Sequence, residues 1–148
     1  MWSIRKRVFI DRRMEEVHRF ATNPTHWYQW YAGLSEAENL LGKGEKGTSL
    51  DLRYFFFGRD FSMHVLVEEN APIEDGFVWR CLVTGTIEAT QTWTYKAKNG
   101  GTEILFKMDY ELHGNILGVM ANTLYLNKLM SNSIEQTLQN LKDISEGD

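Results

Sequence analysis

Residues 102–113 read TEILFKMDYELH. Ile104, Phe106, Met108, Tyr110 and Leu112 share one face, while Glu103, Lys107, Asp109, Glu111 and His113 share the other. A period of two with one apolar side is the pattern of a strand lying on a core. Gly114 and Asn115 follow, and then the period changes. From 116 to about 144, Ile116, Met120, Met130, Ile134, Leu138 and Leu141 fall on one broad helical stripe. Asn132, Glu135 and Gln139 lie opposite it, with Lys128 and Lys142 on its flank. A helix of that length with a continuous apolar stripe needs a sheet to lie against.

The sheet is legible upstream. Strand patterns occupy 34–41, 48–57, 59–69, 77–84 and 87–98, with turns at Gly58, 70–76, Gly85 and 99–101. An opening strand over 2–10 has Ile4, Val8 and Ile10 in one phase among basic residues, so the Arg5-Lys6-Arg7 run reads as a solvated strand edge. Asp11 is placed to cap the following helix, with Glu15 and Glu16 near its positive end and Val17, Phe20 and Ala21 as its apolar stripe. Asn23-Pro24 ends it, and Pro24 can open a second short helix within NPTHWYQWY, residues 23–31. No linker, repeat or low-complexity tract interrupts the chain, which is expected to be one α+β domain over 1–148.

This order of elements resembles the helix-grip fold of the START/polyketide-cyclase (SRPBCC) superfamily, closest to its polyketide cyclase/dehydrase-type families. Local landmarks support it: VFIDRRMEEVHRF resembles the opening strand and first helix, WYQW the Trp-containing segment after it, GKGEKGTSL a glycine-rich turn, and GTEILFKMDYEL the last strand. Arg13 stands where many relatives have proline. The resemblance implies a curved antiparallel sheet wrapped around a long C-terminal helix, with a cavity between them. It also implies ligands such as polyketides, lipids, isoprenoid quinones or plant-hormone-like compounds.

Composition narrows the function classes. A net charge of −4 argues against a nucleic-acid partner, whose phosphates are held by clustered Lys and Arg. Cys81 is alone, which excludes an intrachain disulfide and a cysteine-based zinc site. The N-terminus has no apolar run of signal-peptide type and no stretch approaches a membrane span, so a cytoplasmic location without integral membrane association is expected. GKGEKG (42–47) matches the glycine spacing of a dinucleotide loop, yet the following TSLDLRYFFF is strand-like and supplies no helix N-terminus for a pyrophosphate. It reads as a structural loop. His18, His26, His64 and His113 show no metal-ligand spacing; His64 and His113 are expected to face water, and His26 to lie near the cavity mouth. Neither a metal nor a cofactor is expected.

The inward phases of the later strands carry the functional expectation. They read Phe61, Met63, Val65, Val67; Phe77, Trp79, Cys81, Val83; Ala89, Gln91, Trp93, Tyr95; then the face of residues 104–112. None is a carboxylate, histidine, lysine or arginine, and general acid–base chemistry needs such a group within reach of the substrate. The expected activity is therefore binding, transport or sequestration of a small hydrophobic or aromatic molecule. The expected binding residues are Trp27, Trp30, Tyr54, Met63, Trp79 and Gln91, with Trp93, Phe106, Tyr110, Thr123 and Asn127. Thr123 and Asn127 are included because polar groups in an apolar helical stripe need partners or a hydrated space. Trp27 and Trp30 are read as core or cavity wall, and Tyr28 or Tyr31 as partly exposed. Two alternatives stand beside this: a cyclase/dehydrase-type enzyme, and a chaperone-activator-like module using the outer sheet face. The cavity is expected to measure hundreds of cubic ångströms, with its gate at 114–118.

Overall fold

The structure, a computed structural model, describes residues 1–113 and 123–147. Seven strands form one antiparallel sheet: β1 (Trp2–Ile10), β2 (Glu38–Leu41), β3 (Ser49–Phe56), β4 (Arg59–Ile73), β5 (Gly76–Gly85), β6 (Ile87–Lys98) and β7 (Gly101–Leu112). Their order across the sheet is β1-β7-β6-β5-β4-β3-β2, so β2 to β7 run as a meander and only β1 pairs out of sequence. Between β1 and β2 lie α1 (Met14–Thr22), a 3-10 turn (Pro24–His26) and α2 (Trp27–Trp30). The long helix, α3 (Thr123–Glu146), packs against β1 and α2. Sheet and helix together make the helix-grip fold expected from the order of elements.

Alternation decides which face is covered. Along β7 the residues Ile104, Phe106, Met108, Tyr110 and Leu112 are buried, and those between them are not. On α3, Leu126, Met130, Ile134, Leu138 and Leu141 form the buried stripe, while Asn132, Glu135 and Gln139 are exposed. Ile116 and Met120 of the expected stripe lie outside the described residues, as does the expected gate at 114–118. The basic run of β1 occupies a sheet edge, where Lys6 reaches Glu135 and Arg7 reaches Glu103, both at 3.9 Å.

Three local expectations are corrected. Asp11 does not cap α1; the cap position is Arg13, which makes no side-chain cap bond. Asp11 instead donates its backbone N–H to Glu146 at 2.8 Å, because the start of the helix is tied to the end of α3. Arg13 has φ −59° and ψ 140°, a conformation that proline also adopts, which explains how arginine can occupy a position where relatives carry proline. The strand expected at 34–41 is shorter: Leu34 makes an isolated bridge to Tyr54, and regular pairing begins at Glu38. The turn expected at 70–76 shrinks to Glu74 and Asp75, since β4 continues through Pro72 to pair Ile73 with Gly76. Proline is tolerated there because β3 pairs with β4 only as far as Leu66, leaving that part of the strand an open edge.

Candidate ligand-binding site

A cavity of about 60 Å³ lies between the inner face of the sheet and the helices. Trp27, Trp30 and Tyr31 line it from the α2 segment, and Met130 from α3. Tyr54, Met63, Trp79, Gln91 and Trp93 line it from the strands. The volume corrects the expectation of hundreds of cubic ångströms. The large inward rings interlock instead of standing apart: Trp27 meets Trp79 edge to face at 5.5 Å, and Trp30 meets Trp93 likewise at 5.8 Å. Phe106 stands behind Trp93 at 4.9 Å and does not line the space. Tyr110 and Asn127 also lie off it; the phenol donates to the Asn127 Oδ1 at 2.7 Å, so the polar group in the helical stripe is answered by the sheet. The Thr123 side chain lies outside the described residues.

Polar groups concentrate at one wall. Gln91, 8% exposed, donates from Nε2 to the Tyr31 hydroxyl at 2.8 Å and to the Met108 sulfur at 3.6 Å. Its Oε1 accepts from the Trp93 indole at 3.1 Å. The Tyr54 hydroxyl lies 3.0 Å from Ser133 Oγ and donates to the Met130 sulfur at 3.7 Å. Trp30 is 3% exposed, and its indole N–H has no partner among the described residues. The rest of the lining is mostly hydrocarbon and sulfur, with Tyr95 and the Trp27 and Trp79 indoles among it.

Electrostatically this is a neutral site. Burial raises the Tyr31 and Tyr95 hydroxyls far above the ordinary tyrosine range, and raises Tyr54 as well. Burial, with Tyr54 nearby, pushes Tyr110 up to about 12. The Cys81 thiol, also buried, rises to about 12. All five groups stay protonated at neutral pH, so they can donate hydrogen bonds but are poor proton acceptors. Tyr28 or Tyr31 was expected to be partly exposed; Tyr28 is exposed, and Tyr31 is half-buried. Tyr31 also belongs to the wall, a role visible only once Gln91 is seen to reach it.

Beyond the Trp79 wall, four elements are tied together. His18 of α1 lies 2.8 Å from Asn70 Oδ1, and Asn70 donates to the Gly44 carbonyl at 3.0 Å. Trp79 donates to the same carbonyl at 3.1 Å. The glycine-rich loop is thus a clamp for side chains, in agreement with the structural reading of GKGEKG. The imidazole of His18 stacks on Phe77 at 3.9 Å and meets Tyr95 edge to face at 5.4 Å. His26, which was expected near the cavity mouth, stacks on Phe20 at 5.0 Å and does not line the cavity. The histidine next to the wall is His18.

Burial lowers the His18 pKa below its ordinary 6.5, with the Asn70 contact opposing the shift. An unfolded chain therefore protonates this residue at higher pH than the folded one. The stability that neutral His18 confers is complete above about pH 6.5 and declines as acid titrates toward the folded value. Urea unfolding at about pH 8 and about pH 5.5 should show a loss in the wild type that is smaller in His18→Gln. Equal losses in the two proteins would remove His18 as the cause.

His64 and His113 are exposed, as expected. His64 pairs with Asp51 at 2.8 Å. His113 lies 3.0 Å from Glu88 and 3.9 Å from Glu111. Pairing of β6 with β7 sets Glu88 directly opposite Glu111, so the three ligand atoms come within 4.8 Å of one another, a proximity the linear spacing conceals. Like charges facing each other across strands are unfavourable, and the His113 ring lies within reach of both carboxylates.

Residues 1–146 match the family model described as polyketide cyclase / dehydrase and lipid transport. The chain belongs to that family. No curated protein matches it in sequence. Among solved structures, the fold is similar to that of TTHA0849 from Thermus thermophilus, at 20% identity, covering 96% of this chain and 95% of that one, TM-score 0.79. The Zhui aromatase/cyclase from Streptomyces sp. R1128 is similar over 98% of this chain and 93% of its own, at 10% identity and TM-score 0.78. A START superfamily protein from Mycobacterium smegmatis aligns over 98% and 97%, at 14% identity and TM-score 0.77. These likenesses establish the shared fold. Among the described residues, no helix is long and apolar enough to cross a membrane.

Proposed function

We propose that the chain binds a small hydrophobic or aromatic molecule between the sheet and α3. The observation that supports this most is the wall itself: aromatic, aliphatic and thioether groups surround the space, and among the described residues no carboxylate, lysine, arginine or histidine lines it. Such a surface gains from taking up apolar area and has no group of suitable pKa to move a proton.

The resting void is smaller than the engineered cavity of about 150 Å³ that admits benzene. Binding a ring therefore requires widening. Met63 and Met130 line the space, and their unbranched thioether side chains can change rotamer at low cost. Native mass spectrometry of protein purified from its own host tests the proposal. A co-purifying molecule that raises the unfolding temperature when added back is the expected result. A second reading, cyclase/dehydrase catalysis, follows the family description. It would replace the first if Tyr31→Phe or Tyr54→Phe abolished turnover of a polyketide-like substrate while binding persisted.

A further inference from the structure

The orientation of hydrogen-bonding capacity around the cavity is one-sided. Gln91 spends its carbonyl oxygen on Trp93 and its amide on Tyr31 and Met108. Tyr31 accepts from Gln91, which leaves its own hydroxyl proton to offer. Trp30, whose ring lies 6.0 Å from that of Tyr31, carries a fully buried indole N–H with no acceptor among the described residues. Both groups can donate, and the indole can do nothing else.

Trp30 cannot easily turn to find an acceptor elsewhere. Its carbonyl accepts from Asn140 of α3 at 3.1 Å, and the next-but-one residue, Ala32, donates its N–H to Thr137 of α3 at 3.0 Å. The Tyr31 N–H closes α2 onto Trp27 at 2.8 Å. On the other side the Trp30 ring is held edge to face against Trp93. A buried donor without a partner is costly and rare in native proteins. Here it is kept in a rigid frame beside an apolar space.

We propose that this corner is a specificity site: the ligand is uncharged and presents a hydrogen-bond-accepting oxygen, as an aryl ketone does, to the Trp30 indole N–H, with the Tyr31 hydroxyl as second donor. This rests on the ligand-binding reading above and narrows it. A carboxylate would lose its hydration against a wall with no cation to replace it. A plain hydrocarbon would leave the Trp30 donor unanswered.

Acetophenone and ethylbenzene share shape and differ in the oxygen, so they isolate the effect. Calorimetric titration of the wild type should show acetophenone binding about tenfold more tightly, the size of one hydrogen bond to a buried orphan donor. Trp30→Phe should remove that preference: whatever affinity both compounds lose with the indole as a wall group, acetophenone should lose about tenfold more than ethylbenzene. In the wild type, acetophenone should also shift one indole N–H resonance downfield, assigned to Trp30 through its contacts with Trp93, and ethylbenzene should not. That spectrum decides the matter even if Trp30→Phe fails to fold. Equal affinities and an unmoved Trp30 resonance would overturn the specificity site while leaving the cavity a ligand site. Failure of both compounds to bind at millimolar concentration would overturn the ligand-binding reading along with it.

Discussion

Gly44→Ala is expected to destabilise the protein by on the order of 3 kcal/mol or more, far beyond the same change at Gly47. Both glycines sit in one loop with positive φ, +114° and +94°, so alanine at either incurs a backbone cost of about 1–2 kcal/mol. At Gly47 nothing lies within 4 Å of the added methyl, and the cost ends there. At Gly44 the methyl would press into the Thr22 backbone carbonyl, and relief means moving either α1 or the loop. Overpacking of that kind adds about 1–3 kcal/mol. It would also displace the carbonyl that Asn70 and Trp79 share. Denaturant unfolding of the pair is the measurement; equal midpoints would show that the loop yields freely and clamps nothing.

Trp93→Ala is expected to cost about 3–5 kcal/mol, the range for truncating a buried aromatic side chain. The indole is 2% exposed, touches Trp30 and Phe106 edge to face, and stacks on Tyr95 at 6.3 Å. Its loss also leaves the Gln91 oxygen without its donor. Because the hole would open directly onto the existing cavity, added indole should restore part of the lost stability by mass action, and should do so less in the wild type. A loss below about 1 kcal/mol would mean that the wall collapses to fill the gap, contrary to the interlocked packing described.

The fold was readable because its two periods are long and unbroken. Ile104 to Leu112 alternates with Leu105 as its one exception, and Met130, Ile134, Leu138 and Leu141 keep helical spacing. Errors fell where propensity competes with partners distant in sequence. Asp11 looked like a cap, but Glu146 takes its N–H. Pro72 looked like a turn, but an open strand edge accommodates it.

The site was legible in kind and wrong in volume. Alternation identified the inward residues and their lack of charge. It could not show that Trp27 would interlock with Trp79 and Trp30 with Trp93, because ring packing depends on how far the sheet curls. Nor could it find His18 against Phe77, or Tyr31 under Gln91, since each contact joins a helix or its flank to a strand some sixty residues away.

The pairing of β1 with β7 has a consequence for how the chain is made. Ile10 lies opposite Thr102 and Trp2 opposite Tyr110, so the first strand cannot begin to find its neighbour until the ribosome has delivered about ninety further residues. The meander from β2 to β7 can grow hairpin by hairpin as it emerges, each new strand docking on the last. The opening strand must wait, its apolar Ile4 and Ile10 unsheltered during that time. Contacts between such distant segments form slowly because a large loop has to close first. The Arg5-Lys6-Arg7 run has a second use in that interval: it keeps a waiting strand charged, and so less prone to pair with another nascent chain.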